Sequence, residues 1–233
     1  RGLGDVYKRQ DGKEGKDQNF FFPPEAFENA FDYLLSMLAD MEIDGEMKKV
    51  LLQAPKNGFF YVIDRENGKV LRAHPFATVT WATHVDLETG RPVENPAVDY
   101  TENGAWVLPG PIGAHNWQAM SIDLEAGLAY IPTQENPFFY AIQEDYKKTG
   151  VFKWTPGQWN MGIEMSSLAQ NILNNLESQP KPGGFLKAFD PLTGETRWSV
   201  PIPHYWNGGV LGTAGGLVFQ GDALGMFSAY DKE

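Results

Sequence analysis

A few residues of this 233-residue chain have the types and the settings that chemistry needs. Lys56 lies in Ala54-Pro55-Lys56-Asn57-Gly58, between the apolar run 50–53 and the aromatic-rich run 59–63. Two strand-like runs around a Pro/Asn/Gly turn predict a hairpin, and Gly58 lets its backbone bend sharply. The lysine then stands at a hairpin tip, either as a solvated turn cation or as a charge presented to a partner. Asp32, in Phe31-Asp32-Tyr33, is either a general base or a solvated helix carboxylate. Asn116, in Ala114-His115-Asn116-Trp117, carries an amide that both donates and accepts, and it could equally stabilise a turn in this Gly/Pro-rich segment. Trp206-Asn207-Gly208-Gly209 combines an aromatic face and an amide with glycines that permit close backbone approach; the tryptophan could instead be a core residue. His74, His84, His115 and His204 lack metal-ligand spacing and read as satisfied structural histidines.

The composition narrows what this chemistry could serve. The net charge is −11 and no basic run occurs, which argues against nucleic acid and anionic membrane surfaces. No apolar run approaches the ~20 residues that a membrane helix needs. No amino-terminal stretch has the form of a signal peptide. With no Cys there is no disulfide framework, thiolate metal site or haem-attachment motif in these residues.

The elements that must position these groups are mostly short strands. Residues 1–19 read as a non-native or disordered leader, and 20–233 as the domain. Residues 25–39 carry Phe27, Phe31, Leu34, Leu35 and Leu38 at helical spacing and predict a helix. Strands are expected over 70–73, 77–83, 117–122 and 128–132. The stretch 136–184 is an insertion with Trp154, Trp159 and a second helix over 166–176. Strands return at 185–189, 196–200, 210–213, 217–220 and 226–230. An Asp-x-x-x-Gly turn recurs at Asp64/Gly68, Asp86/Gly90, Asp123/Gly127 and Asp190/Gly194, and a fifth copy starts at Asp231. The Asp can cap its own turn, the Gly can take positive φ, and Trp198 can start the next strand in the fullest copy. The recurrence predicts an all-β array of repeated blades, a β-propeller.

The long form Ala188-x-Asp190-x-x-Thr193-Gly194-x-x-x-Trp198 resembles the tryptophan-docking motif of quinoprotein dehydrogenases, eight-bladed propellers that hold pyrroloquinoline quinone (PQQ) near the axis. Residues 38–69, 81–96, 113–123, 130–135 and 206–231 are similar to the alcohol-oxidising branch of that family, in family order. The resemblance implies about half of the propeller, with the family's vicinal cysteines, tryptophan floor and Glu and Asn calcium ligands lying upstream of Arg1.

It also implies a reaction. A carboxylate takes the proton of an alcohol hydroxyl while hydride passes to the quinone C5, giving the aldehyde, and electrons go on to a cytochrome c. Lys56 matches the cation at the C5 oxygen, Asn116 a quinone-contacting asparagine, and Trp206 and Asn207 a segment at the cofactor edge. Asp32 matches the base of the family's Trp-Asp-Tyr, although it lies a few residues closer to Leu38-Ala39-Asp40 than the family places it. Counted without a gap, the base position falls on Asn29, which cannot act as a base. Leu34, two residues on, lacks the carboxylate of the lanthanide-using subgroup. The implied cofactors are PQQ and calcium, and the implied location is the periplasm. The alternative is a non-catalytic propeller that binds or assembles. A partial ring also implies a chain that is inactive alone.

Overall fold

The computed structural model describes residues 36–233 except Thr155, Gln158, Trp159 and Met161. Asp32 and Trp159 therefore lie outside the described residues, as do residues 1–35 in full.

The first sheet is an antiparallel meander of β1 (Ser36–Ile43), β2 (Glu46–Gln53), β3 (Phe59–Asp64) and β4 (Val70–Pro75), in that order. β1 corrects the helix expected over 25–39, since Ser36–Ala39 are strand and the rest of that stretch lies outside the described residues. Ala39, Met41 and Ile43 are buried while Leu38, one of the helix-spaced residues, is exposed. Alternation on one face and pairing with β2 override the 3.6-residue spacing. The expected hairpin around Lys56 is present, with Gln53 opposite Tyr61 in register.

β5 (Ala82–Asp86) pairs with β6 (Arg91–Glu94), and β7 (Ala105–Val107) with β10 (Phe138–Tyr140). The strand expected over 77–83 starts only at Ala82. Before it the backbone is committed elsewhere: Thr80 N–H donates to Leu108 O at 2.9 Å. The strand expected over 117–122 likewise begins only at Ser121.

The next sheet has the order β12-β11-β9-β8, from β8 (Ser121–Asp123), β9 (Leu128–Glu135), β11 (Gly183–Phe189) and β12 (Thr196–Ile202). Between β9 and β11 run β10, α1 (Glu144–Thr149) and α2 (Leu168–Asn174), so a helix forms within the predicted 166–176. β13 (Asn207–Gly212), β14 (Leu217–Asp222) and β15 (Phe227–Asp231) form the last sheet.

The central sheet is buried on both faces. Ala129, Ile131 and Phe189 pack with Val50, Leu52, Phe60 and Val62 of the first sheet. Leu128, Tyr130, Leu186 and Ala188 pack with Val210 and Val218 of the last. This is why residues 128–132 read as an unbroken apolar run instead of an alternating one, with Thr133 and Gln134 buried after it. Successive sheets stack face to face, as blades do in the propeller class expected from the sequence.

Antiparallel pairing assigns the connections to ends. The Asp64/Gly68, Asp123/Gly127 and Asp190/Gly194 turns join first to second or third to fourth strands of their sheets, and so share one end. The Lys56 tip and the long β9–β11 connection join second to third strands, at the other end. The approach to β8, 111–120, and the approach to β13, 203–206, enter from that same end.

Candidate functional site

The end away from the Asp turns gathers most of the singled-out residues. The β2–β3 tip is braced from within by Asn57, whose Oδ1 accepts from Phe59 N–H at 3.0 Å and whose Nδ2 donates to the Tyr61 hydroxyl at 2.8 Å. Burial pushes the Tyr61 phenol up from its ordinary range, opposed by the Asn57 hydrogen bond. From outside, Trp81 Nε1 donates to Asn57 O at 3.1 Å. Gly58 takes φ +91°, as the turn required.

The segment 110–118 closes over this tip. Ala114 N–H donates to Lys56 O at 2.9 Å, and Gln134 N–H donates to Ala114 O at 2.6 Å, which ties the tip to the end of β9. Gly113 is at φ +90°, and a Cβ there would stand 2.5 Å from Lys56 Cβ and 2.7 Å from its Cα. Only glycine lets the two backbones approach this closely. His115 is buried between them, Nδ1 2.6 Å from Ala54 O and Nε2 2.6 Å from Gln118 O. Burial, the larger influence, holds the His115 pKa down, and the two carbonyls oppose it. His74 and His84 also contact neighbouring oxygens, Leu192 O at 3.2 Å and Thr83 Oγ1 at 2.9 Å, in keeping with structural histidines.

Lys56 itself is exposed. Its Nζ donates to Pro111 O at 3.4 Å and forms no ion pair among the described residues. Asn116 Nδ2 donates to Ile112 O at 3.0 Å, a turn contact of the kind expected of a structural asparagine. Trp117 follows with its ring exposed, 6.2 Å from the ring of Trp206. Trp206 is 40% exposed and so is not a core residue. Asn207 is 2% exposed, and neither amide atom has a partner among the described residues. The fold thus brings Lys56, Asn116 and Trp206–Asn207 into one chain of contacts, running from the tip through 111–117 to the start of β13. Val210 N–H donating to Ala119 O at 2.7 Å secures the last link.

A second tie holds the same end. Lys187 Nζ donates to Phe76 O at 2.9 Å and lies 3.6 Å from Glu135 Oε1. Burial pushes the Lys187 pKa down against the pull of Glu135. Trp154 in the insertion is 69% exposed. Among the described residues no three His, Cys, Asp or Glu side chains converge to hold a metal ion. No helix there is long and apolar enough to cross a membrane.

Reading the residues one at a time missed Gly113, His115 and Trp81 as the parts that hold the tip. The glycine before Ala114-His115-Asn116 was the one available signal, because a positive-φ position amid prolines marks a close approach.

Stacked antiparallel sheets of three and four strands, Asp-capped turns at one end and a polar, aromatic cluster at the other define a segment of a β-propeller with its site at one face. The sequence profile of the PQQ family, described as the glucose/ethanol/alcohol dehydrogenase β-propeller domain, matches residues 86–233. The chain belongs to that family. It is 45% identical over 197 residues to quinohemoprotein alcohol dehydrogenase ADH IIB of Pseudomonas putida, covering 84% of this chain and 27% of that protein. It is 40% identical over 201 residues to a 1-butanol dehydrogenase (cytochrome c) of Thauera butanivorans, again covering 84% of this chain and 27% of the relative. Among solved structures, the quinohemoprotein alcohol dehydrogenase of Comamonas testosteroni superposes with a TM-score of 0.70 at 38% identity, over 84% of this chain and 28% of that one. A europium-containing methanol dehydrogenase superposes at 0.68 with 26% identity, over 84% and 32%. The chain thus spans little more than a quarter of the length of the curated relatives named here.

Proposed function

We propose that this chain forms one side of the PQQ site of an alcohol dehydrogenase that oxidises an alcohol to the aldehyde. The observation that carries the reading is Lys56, a cation on a braced hairpin tip with no anionic partner among the described residues, held against the Asn116 segment. The donor set suits an anionic, oxygen-rich ligand. Lys56 offers an ammonium, Asn207 an amide with neither atom paired among the described residues, and Trp117 and Trp206 offer exposed rings. When bound, PQQ supplies a quinone carbonyl that accepts hydride. Lys56 would then hold positive charge where negative charge develops on oxygen, which a cation already fixed at a hairpin tip does with little reorganisation. Asn116 spends one Nδ2 N–H on Ile112 O and keeps the other N–H and Oδ1 to orient the ligand. Trp206 and Asn207 bound its edge.

Asp32, outside the described residues, is proposed as the base that takes the hydroxyl proton. The described residues hold no cluster suited to calcium, whose ligands are proposed to lie elsewhere in the protein. We further propose a cytochrome c as electron acceptor and a periplasmic location. On this reading 20–233 belong to the propeller, 136–184 are an insertion and 1–19 a leader.

The test is a full-length protein containing this chain, supplied with PQQ and calcium and followed by dye reduction with short alcohols. Turnover is expected. PQQ bound without turnover would leave a binding module and overturn the enzyme. The 233 residues alone expose Leu211, Leu217 and Phe227 on the last sheet and are expected neither to turn over nor to hold PQQ tightly. Tight binding by the isolated chain would show that expectation wrong.

A further inference from the structure

We propose that His115 is a positioning residue, which locks the Lys56 tip to the Asn116 segment through its two ring nitrogens. The functional half of this rests on the PQQ reading above. The ring is 1% exposed and stands between the two halves of the site. On one side it meets Ala54 O, two residues before Lys56; on the other it meets Gln118 O, two residues after Asn116. Both partners are carbonyl oxygens, so they can only accept. Either neutral tautomer donates to one of them, and the imidazolium donates to both.

No charged side chain acts on the ring. Lys56 turns to Pro111 O, and Glu135, at the end of β9, turns to Lys187. The Ala114 N–H bond to Lys56 O is a backbone link between the halves, and it lies immediately beside the ring in sequence. A side chain that fills the space without donating takes a hydrogen bond away from a buried carbonyl and lets the tip slide on the loop. A misplacement of ~1 Å at a reacting centre can cost about a hundredfold in rate, so a residue that touches no substrate can still set turnover.

The experiment compares wild type, His115→Phe and His115→Gln in the full-length protein. Phe fills the volume with no donor, while the Gln amide has two N–H bonds to offer. Amide hydrogen exchange is read at Ala114 and across 54–58, with β11 as the internal control. In the Phe variant exchange at the tip is expected to speed by about tenfold, the worth of one lost hydrogen bond, with β11 unchanged. PQQ binding weakens and kcat falls more than KM rises, while Gln recovers most of each. Unchanged exchange at the tip, equal loosening of every strand, or a Gln variant as impaired as Phe would overturn the proposal. Should the Phe protein not fold, the wild-type ring decides. A slowly exchanging imidazole N–H in nitrogen-15 spectra supports the bridge, and a rapidly exchanging one sinks it. Failure of wild type to bind PQQ would defeat the cofactor reading, while the exchange and ring measurements would still judge the bridge.

Discussion

The two ends of these sheets solve the problem of reversing a strand in opposite ways. At the Asp-turn end each reversal satisfies itself. Asp64, Asp123 and Asp190 accept from the backbone N–H two residues on, at 2.8, 3.0 and 2.8 Å, and the glycines sit at φ +76°, +69° and +79°. Asp231 begins the same cap, accepting from Glu233 N–H at 3.1 Å. At the other end the β14–β15 turn also caps itself, on Asp222, but the site does not close by local bonds. The Lys56 tip depends on Trp81, Ala114 and His115, all distant in sequence, and it leaves showing tryptophan rings and a cation with no ion pair among the described residues. An end closed by local bonds builds the scaffold, and an end closed by long-range bonds can hold functional groups at fixed spacing. The two should respond differently to substitution.

The largest expected contrast is at Lys56. In the full-length protein Lys56→Met should lower kcat by about a hundredfold to a thousandfold, the usual loss for one fixed charge-stabilising donor. The urea midpoint should stay at the wild-type value, because the ammonium is exposed and pairs with no carboxylate among the described residues. A large fall in stability with little loss of rate would make Lys56 part of the scaffold.

Gly113→Ala should damage both properties. The new Cβ meets Lys56 backbone and side chain at a positive φ, and the strain is on the order of 1–3 kcal/mol. Denaturant unfolding should show that loss, and kcat should fall with it as the tip is pushed away.

Asp190→Ala should cost about 1 kcal/mol, as other lost caps do, since the Leu192 and Thr193 N–H groups both donate to its Oδ1. Rate per folded molecule should not change. A change in KM would mean that the two ends are coupled.

The smallest effect is a pH dependence at the scaffold end. The Ala126 N–H, followed by Lys232, holds the Asp123 carboxyl below the usual carboxylate range. A group depressed in the folded state contributes stability that is fully present above its unfolded pKa. That contribution is lost as pH falls through the lower, folded pKa. Urea midpoints from neutral pH down to acid should therefore fall less steeply in Asp123→Asn than in wild type. Parallel curves would remove Asp123 from the acid limb.

How much of this was legible in the sequence varied with the range of the interaction. The hairpin around Lys56, the Asp turns, the helix within 166–176 and the later strands are local matters of turn chemistry and period, and they stand where the residues placed them. The elements that came out shifted were settled by partners. Residues 36–39 are strand because β2 pairs with them, and 77–81 are not because Thr80 and Trp81 bond to Leu108 and Asn57. Resemblance named Lys56, Asn116, Trp206 and Asn207 one by one, but spacing could not reveal what joins them.

The sequence by itself determined the repeat, the class of fold and the presence of a lysine at a turn, because each is written in neighbouring residues. Only the tertiary structure decided that Lys56 and Asn116 share a single wall. That wall exists because Gly113 has no Cβ and His115 has two nitrogens, and both matter only when two segments distant in sequence come within hydrogen-bonding distance.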